Sequence, residues 1–234
     1  MILCLETATA LCSVALCNEK GVISLRENDE GKSHASSLTP FIIELLNEAG
    51  IRAGELEAVA VSKGPGSFTG LRIGVSVAKG ISYAASVPLI GVETTRSMFH
   101  GFTANTANQY LFKKSDLFCP AIDARRMEIY YSVFDMKGRI VKDIRAEILG
   151  KDSFSGLPAP SRIFFFGDGA IKFKNTITRG NVVFNSSYRI SSSSMYKPAY
   201  QAFNDHMFED VAYFEPFYLK DFLTSKPVKN ILGK

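Results

Sequence analysis

The chain has 234 residues, enough for one large domain or two small ones that share an interface. Its composition, 46% hydrophobic and 21% charged, excludes a disordered chain, and no run of about 18 apolar residues offers a membrane-spanning helix. The net charge of +4 permits contact with nucleic acid without arguing for it, because there is no dense basic block.

The opening Met1–Glu6 has no basic segment, and Glu6 interrupts the apolar core that a signal peptide needs, so a cytoplasmic protein is expected. Cys4, Cys12, Cys17 and Cys119 lie in apolar runs without CxxC spacing and read as buried small hydrophobes in a reducing compartment. Ile2 to Leu5 is a short strand ending in the polar turn Glu6-Thr7-Ala8-Thr9. Cys12 to Cys17 is a second strand, and Asn18-Glu19-Lys20-Gly21 turns it into a third, Val22 to Arg26. A helix is predicted from about His34 to Ala49, with Leu38, Phe41, Ile42, Leu45 and Leu46 spaced by three and four and Gly50 as its stop. Pro40 inside it marks a kink or the start of its regular part.

Ala58-Val59-Ala60-Val61 reads as a buried strand that runs into a Gly64-Pro65-Gly66 turn, and Ser67 is the N-cap of the next helix. That helix carries Gly70, Gly74 and Gly80, each costing about 1 kcal/mol relative to Ala. Gly66, Gly70, Gly74 and Ala78 recur every fourth residue and form a nearly smooth stripe, open to the backbone of a neighbouring helix or to a ligand. A strand at Pro88 to Val92 and a short helix capped by Thr94 or Thr95, running to about Phe102, follow. The order β-β-β-α-β-α-β-α implies a mixed sheet with helical crossovers. Small polar residues at Ala104 to Gln109 place a domain boundary there, giving regions 1–104 and 105–234.

The second half opens in the same way. Leu117 to Ile122 is a strand ending at Asp123-Ala124-Arg125-Arg126, Glu128 to Asp135 the next, and Arg139 to Leu149 a third after the Lys137-Gly138 turn. Arg162 to Phe166 is a buried strand ending at Gly167-Asp168-Gly169 with a helix after it, and Asn181 to Asn185 is another strand. A four-serine loop, Ser191 to Ser194, precedes a helix from about Tyr196 to Tyr213. Each half thus begins with a strand running into an acidic turn and two hairpin-linked strands, a weak internal duplication.

Gly64 to Gly70 joins a strand to a helix N-terminus as a phosphate cradle would. No P-loop lysine follows, however, and the third glycine is one residue late for a dinucleotide fingerprint, so a tight turn with a close helix contact is the preferred reading. Glu6 and Asp123 close the first strands of the two halves, where paired carboxylates hold a hydrated Mg²⁺ beside a nucleotide in some sites; ordinary strand-end turns are the plainer account. His34, His100 and His206 lie far apart without an i, i+4 partner, so no metal site is expected. Ser33 and His34 are adjacent, which disfavours a nucleophile pair. Lys220, Lys226, Lys229 and Lys234 around Tyr218 and Phe222 form a tail able to touch RNA phosphates, with a solvated terminus as the plainer account.

Lys63-Gly64-Pro65-Gly66-Ser67-Phe68-Thr69-Gly70-Leu71-Arg72-Ile73-Gly74 resembles the signature of the TsaB (YeaZ) family of bacterial tRNA threonylcarbamoyladenosine synthesis. Glu6-Thr7-Ala8-Thr9, Ser33-His34, Ala121-Ile122-Asp123-Ala124-Arg125, Gly167-Asp168-Gly169 and Pro216-Phe217-Tyr218-Leu219 match in position, while residues 137–157 carry no matching motif. The resemblance implies an α/β, actin-like ATPase (ASKHA, ribonuclease H-like) fold of two related lobes, mixed β-sheets with flanking helices, the C-terminal lobe reduced. It implies a non-catalytic scaffold that pairs with the transferase TsaD and is joined by the ATPase TsaE, with homodimers in TsaD's absence and tRNA reached through the complex. TsaD carries a His-x-x-x-His metal helix, which this sequence lacks.

The family's contact surface corresponds here to about Ser33–Ala49 and Ser67–Ser82, with Ser33, His34, Leu38, Phe41, Leu45, Gly66, Phe68, Gly70, Leu71, Gly74 and Ala78 as candidate interface residues. Glu6, Thr7, Asp123, Gly167, Asp168 and Gly169 are the candidates for a vestigial nucleotide site. Glu6 departs from the aspartate usual in the ATPase superfamily, and its longer side chain disfavours autonomous ATP hydrolysis. No cofactor is expected to be required by the chain itself, and ATP or ADP binding is an expectation for the complex. The alternative is a small-molecule kinase or a TsaD-like transferase of the same fold.

Overall fold

A computed structural model of the chain describes residues 1–29, 34–105, 111–158 and 161–220. Strands β1 (Ile2–Glu6), β2 (Cys12–Asn18) and β3 (Gly21–Asn28) form an antiparallel meander. Helix α1 (His34–Ala49) leads through a 3-10 turn to β4 (Ala58–Gly64), which pairs parallel to β1, and α2 (Phe68–Ala85) leads to β5 (Leu89–Glu93), parallel to β4. The first sheet has the order β3-β2-β1-β4-β5. After α3 (Thr94–Asn105), the strands β6 (Leu117–Asp123), β7 (Ile129–Asp135), β8 (Ile140–Glu147), β9 (Ile163–Phe166) and β10 (Val182–Asn185) form a second sheet ordered β10-β9-β6-β7-β8. Counted from its other edge, this repeats the first sheet in order and direction, including the parallel pairings β6–β9 and β9–β10. The molecule is therefore two related lobes of mixed sheet, the actin-like arrangement expected. The boundary placed at Ala104–Gln109 begins inside α3, and residues 106–110 lie outside the described residues.

The layers follow from which strand faces are apolar. On one face of the first sheet, Leu3, Leu5, Val14, Val59 and Val61 pack against Leu38, Ile42 and Leu45 of α1 and Val75 and Ala78 of α2. On its other face, Ile2, Cys4, Ala15, Ala60 and Ile90 meet Met195, Ala199 and Tyr200 of the 3-10 turn Ser192–Met195 and helix α4 (Tyr196–Asn204). Residues assigned by sequence to the second region thus return to cover the first sheet. Helix α3 fills the space between lobes, where Met98, Phe99 and Phe102 pack on Phe118, Phe134, Phe164 and Phe166, with Phe102 and Phe166 stacked at 3.9 Å. The outer face of the second sheet is covered by Leu149, Phe154, Phe173 and Ile177 from irregular segments. All four cysteines are buried and unpaired. Among the described residues no helix is long and apolar enough to cross a membrane.

Three expected elements differ. The helix after Gly169 is a 3-10 turn, Ala170–Phe173, and the four-serine loop folds into the buried 3-10 turn Ser192–Met195. Helix α4 ends at Asn204, well short of Tyr213. His206 takes the left-handed conformation (φ 54), its amide bonds to Phe203 O at 3.1 Å, and the Met207 amide bonds to Ala202 O at 2.8 Å. This pair of hydrogen bonds is the Schellman stop, reached here without the glycine that usually signals it. The chain beyond it runs back along the first lobe. Glu209 bridges to Leu89, Phe214 enters the core, Lys79 Nζ donates to Phe214 O at 2.9 Å, and the Phe217 amide donates to Lys63 O at 2.6 Å.

The glycine stripe is filled from within the chain. A Cβ on Gly66 would lie 2.5 Å from Ala8 O, one on Gly70 would collide with Thr7 O, and one on Gly74 with Thr7 Oγ1. The neighbour that approaches α2 is the chain's own turn after β1, and not a second subunit's helix. Gly80, off the stripe, faces open space. Gly70→Ala should therefore lower stability by about 2–3 kcal/mol, whereas Gly80→Ala should raise it by about 0.5–1 kcal/mol, both read from urea denaturation midpoints.

Candidate functional site

The polar turn after β1 is held from several sides. Glu6 is fully buried; its Oε1 accepts the Ala8 amide at 2.7 Å and its Oε2 accepts the Ser62 hydroxyl. Ser62 arrives there because β4 pairs parallel to β1 with Leu5 opposite Val61, so the next residues on both strands emerge together. Ala8 O accepts the Ser67 amide at 2.7 Å, and Thr9 O accepts Nε2 of His34 at 2.9 Å. Ser67 caps α2 by accepting the Gly70 amide at 3.3 Å, as its position in the sequence suggested. One turn therefore anchors the starts of both α1 and α2. Burial raises the Glu6 carboxyl pKa to about 7, against the opposing pull of the Ser62 hydroxyl and the Ala8 and Thr7 amides.

At the corresponding end of β6, Asp123 is exposed and lies against the ammonium of Lys172, which also donates to Arg126 O at 2.7 Å. The Asp123 amide donates to Asp168 Oδ1 at 3.0 Å. Gly167 has φ +103, and a Cβ there would collide with Ala121 O; a Cβ on Gly169 would lie 2.8 Å from the Ile122 carbonyl carbon. Both glycines therefore let the Gly-Asp-Gly turn lie flat against the end of β6. The two carboxylates considered for Mg²⁺ both have internal donors: Glu6 an amide and a hydroxyl, Asp123 a lysine. Neither Ser62 nor Lys172 is signalled in the sequence, because each is brought in from about 50 residues away by strand pairing or packing.

Between the lobes lies a crevice of about 370 Å³, lined by Thr9, Ala10 and Leu11 after β1, Met98 of α3, Gly167 and Asp168 after β9, and Tyr188–Ile190. It sits at the carboxyl ends of β1 and β9, where open α/β sheets bind ligands. Asp29 and Arg189 form an ion pair across it. Of the nucleotide-site candidates, Gly167 and Asp168 line the crevice, Glu6 and Thr7 are buried beneath the turn, and Asp123 and Gly169 lie beside it. Arg189 and Tyr188 were missed, since an isolated arginine and tyrosine in a loop carry no periodic signal. The three histidines stay apart, on α1, on α3 and after α4, and burial lowers the pKa of His100 to about 4.

The proposed contact surface divides on burial. Leu38, Leu45, Gly70, Leu71, Gly74 and Ala78 are buried in the chain's own core, and Gly66 is backed by Ala8, so these seven leave the interface set. Phe41 and Phe68 are half-buried, and Phe68 lies under the Arg72 guanidinium at 4.1 Å. His34 is half-buried and tied to Thr9, and Ser33 lies outside the described residues. The outward faces of α1 and α2 carry other residues, among them Ile43 at 53% exposure and Tyr83 at 81%. Periodicity found the two helices, but burial reverses which of their faces is available.

A family model described as TsaD: tRNA N6-adenosine threonylcarbamoyltransferase matches residues 28–227. The tRNA threonylcarbamoyladenosine biosynthesis protein TsaB of Escherichia coli (strain K12) is 36% identical over 134 residues, 57% of this chain and 54% of that protein. TsaB of Bacillus subtilis (strain 168) is 29% identical over 143 residues, 61% of this chain and 58% of that protein. The chain thus spans about half the length of the curated relatives it matches. YeaZ from Pseudomonas aeruginosa superposes with a TM-score of 0.77 at 24% identity, covering 93% of this chain and 99% of that one, which bears out the two-lobed fold.

Replacing Glu6 tests the buried turn. Its folded pKa of about 7 lies above the unfolded value of about 4.5, so the folded state binds the proton more tightly. The native chain should lose about 3 kcal/mol of stability as pH rises through that window, and Glu6→Gln should remove this loss while retaining an oxygen acceptor for the Ala8 amide. Urea denaturation of both proteins between about pH 4.5 and pH 8 measures the difference, and parallel profiles would rule out Glu6 as the titrating group.

Proposed function

The chain belongs to the TsaD family, whose model is described as tRNA N6-adenosine threonylcarbamoyltransferase, and from this membership we propose that it is a TsaB-type partner subunit in tRNA threonylcarbamoyladenosine synthesis. In this reading it pairs with TsaD, the pair recruits TsaE, and the chain does not carry out the transfer itself. The observation that carries the proposal is the pair of helices α1 and α2. Their N-termini are fixed by one turn, they pack side by side, and they expose Ile43 and Tyr83 to solvent. Large exposed apolar and aromatic side chains on rigid helices suit a protein interface. The scattered histidines and the internally bonded Glu6 and Asp123 support a non-catalytic role. In the absence of TsaD the same face would serve for self-association.

The crevice favours a second reading, binding of ATP or ADP between Thr9 and Gly167–Asp168. Calorimetry with Mg-ATP on the chain alone and in the complex separates this from pairing; turnover by the isolated chain would favour the enzyme alternative.

Reconstitution with TsaD, TsaE, threonylcarbamoyl-adenylate and tRNA, followed by omission of this chain, should abolish modification; undiminished modification would overturn the assignment. Ile43→Glu combined with Tyr83→Glu should weaken pairing about tenfold or more while leaving the thermal melt of the monomer unchanged. Gly74→Leu is unsuited to this purpose, since it would disrupt the monomer itself.

A further inference from the structure

The turn joining β6 to β7 carries a feature that neither the fold nor the pairing surface requires. Arg125 and Arg126 both adopt the left-handed conformation, with φ of 65 and 51. Two successive left-handed residues in a hairpin are ordinarily Asn-Gly or Asp-Gly, because a bulky side chain strains that geometry. Here the strained positions hold two arginines, both exposed. The surroundings lock the turn. Asp123 Oδ1 accepts the Arg125 amide at 2.5 Å, the Ala124 amide bonds to Glu128 O at 3.1 Å, and Lys172 Nζ donates to Arg126 O at 2.7 Å. Strain retained at a braced, exposed turn points to a use for the side chains it presents.

Charge indicates what that use is. The two carboxylates of the turn are already neutralised, Asp123 by Lys172 and Glu128 by Lys220. Asp168 lies beneath, bound to the Asp123 amide. Neither Arg125 nor Arg126 has an acidic partner among the described residues. Up to residue 110 the chain has 8 basic and 10 acidic residues, and after it 19 basic and 13 acidic, so the positive surplus belongs to the half that carries this turn. Met127 is the one large apolar side chain exposed on the turn, whereas a protein interface would centre on an apolar or aromatic cluster. A basic, polar, rigid projection suits a phosphodiester backbone, whose oxygens match the guanidinium fork.

We propose that the Arg125–Arg126 turn is a contact for RNA phosphates, separate from the α1 and α2 face. This rests on the reading of the chain as part of a tRNA-modifying assembly and names the surface with which it would touch that substrate. The test replaces the pair with the residues the turn geometry favours, Arg125→Asn with Arg126→Gly, so that loss of the arginines does not unfold the hairpin. Binding of an unmodified tRNA transcript is measured by fluorescence anisotropy across a salt series, for the full chain alone and in its complex with TsaD and TsaE. The double variant should keep or raise the melting temperature, bind tRNA about tenfold more weakly and lower the salt slope by about 2. Unchanged affinity and slope, or no tRNA binding by the native chain in either setting, would overturn the proposal. Loss of TsaD pairing with tRNA binding intact would overturn it in favour of an acidic protein partner. If omitting the chain leaves tRNA modification undiminished while the double variant still weakens tRNA binding, the assembly role fails and the phosphate contact stands.

Discussion

Close contact between the Thr7–Ala8 turn and the glycine face of α2 is the constraint on which the first lobe depends. With side chains at Gly66, Gly70 or Gly74, the turn could not lie where its carbonyl groups meet the Ser67 amide and the His34 ring. With the turn displaced, Glu6 would lose the Ala8 amide, one of the donors that hold its carboxyl in the core. The helix propensity given up at Gly70 and Gly74 is thus offset by a backbone approach that no other residue permits. The starts of α1 and α2 are fixed on the same turn, which sets their outward faces side by side.

The two lobes repeat one topology and treat its acidic strand end in opposite ways. In the first, Glu6 continues the strand face of Ile2 and Cys4, which the 3-10 turn Ser192–Met195 and α4 cover, so it is sealed from water and its charged form is disfavoured. In the second, a 3-10 turn and irregular segments stand where the helices would be, and Asp123 remains at the surface, balanced by Lys172. Covering elements, more than strand order, decide whether such a residue is a buried proton carrier or part of a charged rim. The same reduction leaves the β6–β7 hairpin projecting from the second lobe with both arginines exposed.

The chain after α4 adds a connection absent from the strand plan. It crosses the open edge at β5, inserts Phe214 into the first core, passes Gly64 closely enough that a Cβ there would lie 2.6 Å from Phe217 O, and reaches the second lobe at Lys220. Covering β5 removes an unpaired sheet edge, and the aromatic contact of Phe68 with Tyr218 at 4.9 Å holds the segment along α2.

Much of the secondary structure was legible in the sequence, because apolar periodicity is a local property. The strands of both meanders, the His34–Ala49 helix and the Ser67 cap follow from alternation, three-and-four spacing and the hydroxyl placed before the helix. The end of α4 was not legible, since a histidine took the conformation for which glycine is the usual sign. The glycine stripe announced a close neighbour without identifying it, and residues expected on the contact surface, Leu38, Leu45, Leu71 and Ala78 among them, face the chain's own core. By itself the sequence determined the elements, the doubled strand plan and the need for a tight contact at Gly66, Gly70 and Gly74. Only the tertiary structure decided that the chain's own turn makes that contact, that Ser62 donates to Glu6 and Lys172 pairs with Asp123 at the two acidic strand ends, and that Ile43 and Tyr83 face solvent. The reason is physical: periodicity records which side of an element is apolar, whereas the partner of a buried group is set by how distant segments pack.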